Sequence, residues 1–265
     1  MQSHPDWTHW ITVGRRWQDV RHWWPGDTPW AIAVTAVLTQ HTRWERAWQV
    51  WQRLVQAGIH TPDRMAAYPE SRLAAMLRPV AAARRKARTL RELARQVRDS
   101  GGDLCQWVGT SPDRARDRLL RIHGVGPETA DAILLYACAI PMVVVDAYTM
   151  RILHRHGVLP AASSRIEEVR AQLARSLPRD VAMLRDFHAY MVMIGRTFCH
   201  TRHPNCADCP WQAFLPQGQR PVHATQPRTP DHSGATGPVC RISGGRRSGG
   251  DSGSGMGIPK RNPCT

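Results

Sequence analysis

The stretch that most constrains the fold is SPDRARDRLLRIHGVGPETADAILLYA, residues 111–137. It predicts a helix ending at Ile122, a tight turn His123-Gly124-Val125-Gly126, and a second helix opening at Pro127. Glycine at two turn positions permits positive φ and close approach by another backbone. Leu119, Leu120, Val125, Ala130 and Ile133 are spaced to lock the two helices together. The second helix points its unpaired N–H groups and positive dipole end outward, ready for an anion. An ordinary helical hairpin with a glycine turn has the same local sequence, so this stretch alone leaves both readings open.

Around it the chain reads as helix after helix. Thr28-Pro29, Thr61-Pro62 and Ser111-Pro112 each pair a capping residue with proline at the first helical position. Ser164 with Glu167 reads as a capping box. Between Arg43 and Ala57, the residues Ala47, Val50, Trp51 and Leu54 share one face. Further helices are predicted near 80–99, 112–122, 127–138, 147–156, 164–176 and 180–198. The one strand-like run, Met142–Val145, is too short for a sheet, so the fold class is all-α. No run of eighteen apolar residues predicts a membrane span. The N-terminus lacks the layout of an export signal, and a cytoplasmic protein is expected.

Composition changes near Leu215. Residues 216–265 are rich in Gly, Ser, Pro and Arg without apolar periodicity, and are expected to be a disordered tail. The whole chain carries 36 basic and 21 acidic residues, net +15. Before position 216 there are 29 basic and 19 acidic residues, so the body keeps +10. That excess favours a polyanionic partner, most simply nucleic acid. Lys86 and Lys260 are the only lysines, so amine nucleophiles are scarce. Of seven cysteines, Cys105 and Cys138 read as small core residues, Cys199, Cys206 and Cys209 cluster, and Cys240 and Cys264 fall in the tail. This pattern suits a metal site better than a disulfide framework.

Twenty residues beyond Gly126, the run Val143-Val144-Val145 delivers Asp146 to an apparent helix N-cap. Aspartate often caps helices with no further role. It can also be a carboxylate aimed at a sugar-phosphate substrate beside a DNA-binding turn. The hairpin, GVG and VVVDAY together resemble the endonuclease III superfamily of DNA glycosylases, named for its helix-hairpin-helix, Gly/Pro-rich loop and catalytic aspartate. Leu38–Thr42 resembles that family's glutamine segment. Arg84-Arg85-Lys86-Ala87 sits where the family opens a helix. Cys199, Cys206 and Cys209 resemble its iron–sulfur loop. The resemblance covers roughly residues 20–212. GVGPETADAILLYA and LTQHTRW look most like the endonuclease III-related branch, which includes 3-methyladenine DNA glycosylases.

The resemblance implies a two-lobed fold. A six-helix barrel over 29–135 would carry the hairpin, and 1–28 with 136–215 would form a discontinuous second lobe with the Cys-rich loop. Double-stranded DNA with a damaged base would lie across the cleft of a monomer, held by His123, Gly124, Val125, Gly126 and Thr129, with Gln40 filling the gap left by the flipped base. Asp146 would be catalytic. In the family's lyase members a lysine opens the second hairpin helix; here Glu128 matches it, implying a monofunctional enzyme. Trp23 and Trp24 would form, with Glu128, the wall of a base pocket, since indole faces attract a cationic alkylpurine. Adjacent in sequence, they are not expected to face one core. The family's 4Fe–4S cluster uses four thiolates, and the fourth position here is Leu215. Three cysteines could hold a cluster incompletely, bind zinc with His200 or His203, or recruit Cys240; a frameshift just upstream of Leu215 would also account for the mismatch. A bifunctional glycosylase/lyase and a non-catalytic DNA clamp are the alternatives.

Overall fold

Side-chain caps open two of the three helices where the sequence places them with proline; Ser111 stands before Pro112 but makes no side-chain cap bond. Thr28 Oγ1 accepts from Ala31 N–H at 3.1 Å and Thr61 Oγ1 from Arg64 N–H at 3.3 Å, each followed by proline. The computed structural model describes residues 5–159 and 165–218. Its α-helices run α1 Trp7–Trp17, α2 Pro29–Thr39, α3 Trp44–Gln56, α4 Pro62–Ala67, α5 Glu70–Met76, α6 Ala83–Asp99, α7 Leu104–Val108, α8 Pro112–Leu120, α9 Pro127–Ala132, α10 Ala147–Arg155, α11 Ile166–Ser176 and α12 Val181–Thr197. No strand occurs among the described residues. None of these helices is long and apolar enough to cross a membrane. The expected Ser164 cap and all but the first three residues of the expected tail lie outside the described residues.

The helices pack in two sets. α2 lies against α3, α6 and α9, and α6 gathers α4 and α5. In the other set α1 and α10 pack on α12. Gly14 of α1 lets the Tyr190 ring approach; a Cβ there would lie 2.9 Å from ring carbons. Arg15 pairs with Asp186 at 2.6 Å, and Tyr190 donates to the Gln18 carbonyl. Between the sets, α9 widens into a π-helical turn, Ile133–Ala137, that touches both α2 and α12. The second hairpin helix is therefore α-helical only to Ala132. Arg185 of α12 explains part of the change: its guanidinium binds the carbonyls of Leu135 and Tyr136. Such turns recur at functional sites.

Cys105 and Cys138 correct the sequence reading. They are not isolated core residues but a disulfide, with Cα atoms 5.2 Å apart. α7 lies beside the end of the π turn, and 33 residues of separation conceal that proximity in the sequence. The ring they close contains the entire hairpin. Within it, buried Asp131 of α9 receives Arg116 of α8 at 2.7 Å, and Arg116 also reaches Glu167 of α11.

Candidate active site

Three residues of the hairpin turn are answered from elsewhere in the chain. Thr89 Oγ1 donates to the His123 carbonyl at 2.7 Å. Gly124 has φ +90°, and a Cβ there would lie 2.2 Å from that hydroxyl. Val125 is buried, while His123 and Gly124 are exposed. Gly126 differs: its φ is −90°, and a Cβ would meet open space. Gln40 Nε2 donates to the Gly124 carbonyl at 3.0 Å and to Thr129 Oγ1 at 2.9 Å. The predicted DNA-contacting residues are thus brought together.

Lys86 holds that arrangement from below. Its buried amine donates to the carbonyls of Leu38 (2.8 Å) and Gln40 (2.6 Å) and to Thr42 Oγ1 (3.1 Å). It therefore satisfies carbonyls at the C-terminal end of α2, as cations do there. Burial lowers its pKa to about 8, with the Arg85 charge acting the same way. An exposed groove beside the turn is lined by Arg78, Arg84, Arg85, Arg88 and His123, so the basic excess of the body adjoins the hairpin.

Asp146 is the N-cap of α10, as the sequence suggests. Its Oδ1 accepts from the backbone N–H and the hydroxyl of Thr149, both at 2.7 Å. The cap occupies one oxygen. The other, Oδ2, lies 3.9 Å from His188 Nε2. The residue is 6% exposed, at the end of the buried run Met142–Val145. Glu128 is exposed near the start of α9; desolvation, then the Asp146 charge, push its carboxyl up to about 7.

Trp23 and Trp24 overturn a second expectation. Both are half-buried and both face one cluster, with centroids 5.9 and 4.9 Å from the Tyr136 ring. The two indoles meet edge to face at 5.6 Å. The segment lies outside any helix, so no helical rotation separates neighbouring side chains. Trp24 Nε1 donates to Thr35 Oγ1 at 3.0 Å, and Trp23 lies 5.5 Å from the His188 ring. Sequence reasoning missed Tyr136 and His188. Each sits inside an apolar helical run, where an aromatic or a lone histidine reads as core.

Cys199, Cys206 and Cys209 line one small pocket together with Leu215, Arg155 and His156. Arg155 Nη1 lies 2.8 Å from Cys199 Sγ. Burial pushes the Cys206 thiol up and the Cys209 thiol to about 12. Leu215 is 3% exposed, a side chain packed where a fourth thiolate would stand. No group of three His, Cys, Asp or Glu among the described residues is arranged to hold a metal ion. The described residues therefore do not fit a four-thiolate cluster. Cys240 lies outside the described residues.

Residues 34–179 match the HhH-GPD superfamily of base excision DNA repair proteins. A Methanocaldococcus jannaschii protein whose name places it among DNA repair glycosylases is 31% identical over 196 residues, 73% of this chain and 88% of that protein. Bacillus subtilis endonuclease III is 28% identical, covering 60% of this chain and 68% of its own length. Among solved structures, a non-covalent endonuclease III–DNA complex shares the fold with TM-score 0.68 at 24% identity, covering 81% of this chain and 96% of that one. An H. pylori 3-methyladenine DNA glycosylase bound to 1,N6-ethenoadenine is similar at TM-score 0.56 and 25% identity, over 71% and 94% of the two chains. The chain belongs to the HhH-GPD superfamily of base excision DNA repair proteins and is a DNA glycosylase of that family.

Proposed function

We propose that this glycosylase is monofunctional and excises an alkylated purine, 3-methyladenine foremost. The observation that carries the reading is Asp146: one oxygen caps α10 while the other is turned to the Trp23–Tyr136–His188 cluster. The hairpin and the adjoining arginines take duplex phosphates. The damaged nucleotide leaves the stack, and Gln40 occupies its place. Trp23 and Trp24 receive a cationic base on their ring faces. The bond between C1′ and the base nitrogen breaks, and its electron pair leaves with the base. An alkylated purine is already cationic and leaves neutral, so little help from a general acid is needed. Asp146 stabilises the positive sugar or takes a proton from the water that adds to C1′, as carboxylates do in glycoside hydrolysis.

A lyase needs an amine that forms an imine with C1′. Glu128 stands at the hairpin position where the family's lyases have lysine. Lys86, the one lysine among the described residues, spends its amine on three acceptors beneath Gln40. The similarity to the 3-methyladenine glycosylase supports the substrate class. The cysteine loop enters no step of this scheme.

The test is a panel of duplexes, each carrying one lesion: methylated purines, 1,N6-ethenoadenine, oxidised pyrimidines, and uracil or thymine opposite guanine. Release of methylated purine with an intact abasic strand is expected, and no adduct should be trapped by borohydride. Glu128→Lys should gain a borohydride-trapped adduct. Activity confined to oxidised pyrimidines would overturn the substrate. A wild-type adduct dependent on Lys86 would favour the second reading, a bifunctional enzyme, which the similarity to endonuclease III relatives supports.

A further inference from the structure

One buried imidazole lies against the proposed catalytic carboxylate and has no part in the scheme above. His188 comes from the middle of α12 and is 4% exposed. Its Nδ1 is 2.9 Å from Tyr136 Oη, and its Nε2 is 3.9 Å from Asp146 Oδ2. The second distance is too long for a hydrogen bond. Yet it is short enough for a full charge on the ring to be felt strongly in a poorly solvated site.

The proton count around Tyr136 determines what the ring presents. The hydroxyl lies 3.1 Å from the Arg185 carbonyl, to which it donates. A hydroxyl has one proton to give. Burial raises the Tyr136 pKa well above the usual phenol range, so that proton stays. Nδ1 of His188 must then carry the ring hydrogen and donate to Oη. This tautomer is assigned from the donors and acceptors around the ring. It leaves Nε2 a bare lone pair on the Asp146 side.

The other charged groups near the ring come from every element packed on it. Asp186 and Arg185 neighbour it on α12; Asp186 is paired with Arg15 of α1, and Arg185 is bound to the π-turn carbonyls. Glu128 stands at the start of α9, where its own carboxyl feels the Asp146 charge. Burial lowers the His188 pKa, and the Asp146 charge opposes this less strongly. The ring is therefore neutral near pH 7.

We infer that His188 is a positioning residue that acts through Asp146: neutral, it leaves the charge of Oδ2 undivided for the sugar, and protonated, it pairs with Oδ2 and withdraws that charge. Acid would then inactivate the enzyme through one proton on the ring. The inference rests on the reading of Asp146 as the catalytic carboxylate.

The experiment is single-turnover release of methylated bases from duplex DNA methylated with dimethyl sulfate, with enzyme saturating, from acid to neutral pH. All proteins carry Glu128→Gln, so that no carboxyl titrating at about 7 overlaps the profile. His188→Asn keeps a polar atom near Nδ1 for Tyr136; His188→Gln keeps one near Nε2 for Asp146. With His188 present, the rate should fall along a one-proton limb below pH 6.5, the ordinary histidine value. Both substitutions should lower the neutral rate a fewfold and remove that limb, leaving at least tenfold more of their neutral rate than the parent at the acid end, since one pH unit below a pKa leaves about a tenth in the basic form. Tyr136→Phe should slow the neutral reaction several-fold, because the freed ring can turn its hydrogen to Nε2. It should do nothing further once His188 is Asn. A limb that persists in both His188 variants overturns the inference, as does a uniform loss at every pH that follows the melting temperature. Asp146→Asn, run alongside, separates the two failures. If it remains active, the reading of Asp146 falls and takes this one with it; if it is inactive while the His188 variants keep the parent limb, only this inference falls.

Discussion

The hairpin turn and the cysteine loop are both short, both marked by spacing in the sequence, and they end in opposite conditions. Three of the four turn residues find a counterpart: Thr89 on the His123 carbonyl, Gln40 on that of Gly124, and Val125 in the core. The loop brings three thiols to one cavity and meets Leu215 in the fourth place. The difference lies in what each motif records. Glycines in a turn record a steric demand that the rest of the same chain must satisfy for folding. Ligand spacing records a demand met only by an added group. A single apolar residue can close that place off, and Leu215 packs there as well as any core leucine.

If the hairpin side of the molecule carries the chemistry, Asp146→Asn should have the largest effect. Asn Oδ1 can keep both bonds from Thr149, so helix α10 and the melting temperature should hold. Loss of the charge facing the sugar should slow base release by about a thousandfold. Single-turnover release and calorimetry on one preparation check both halves. A mutant that retained more than about a tenth of the rate would place the chemistry elsewhere.

The disulfide offers a way to break the comparison from the hairpin side. Its ring spans 33 residues and encloses α8, the turn and α9. Constraining the unfolded chain over a loop of that size contributes about 3–4 kcal/mol. Cys105→Ala with Cys138→Ala should lose roughly that amount in urea unfolding. A loss below about 1 kcal/mol would mean that Thr89, Gln40 and Arg116 brace the hairpin without the cross-link.

The two glycines of the turn should separate folding from binding. Gly124→Ala combines a positive φ with a Cβ driven onto Thr89, at a cost of about 2–4 kcal/mol. Gly126→Ala meets no protein atom, and its stability should change by less than about 0.5 kcal/mol. Its new methyl enters the open space before the turn, where the proposed reading puts the phosphate. DNA affinity should therefore fall equally for all sequences, measured by titration of unrelated duplexes. Equal thermal losses in the two variants would contradict the geometry of the turn.

Most helices were legible because their signals are local: a capping threonine before proline at Thr28 and Thr61, an apolar face on α3. Asp146 was legible for a related reason, since a cap is read from its immediate neighbours. What was hidden depends on distant partners. The pairing of Cys105 with Cys138 needs the path of the hairpin between them. The convergence of Trp23 and Trp24 on Tyr136 needs an irregular segment laid against the π turn, and that turn is shaped by Arg185 from α12. His188 shows the same limit: its meaning comes from Asp146, forty-two positions earlier in the sequence.

Cys206→Ser tests the loop side, where the smallest effect is expected. Cys206 is half-buried and lines the cavity without closing it. Its thiol is held protonated by burial, so serine replaces one neutral group with another of similar size. The change in stability should stay within about 0.5 kcal/mol. Base release should change by no more than about threefold, because such a shift amounts to well under one kcal/mol of transition-state energy. The same substitution at a cluster ligand would remove a bond on which the loop depends, with loss of iron and of the loop's order. Iron content before and after the substitution, read with the melting temperature, distinguishes the two. Iron bound in the parent and lost together with several degrees of stability would show that the loop, like the hairpin, finds its counterpart after all.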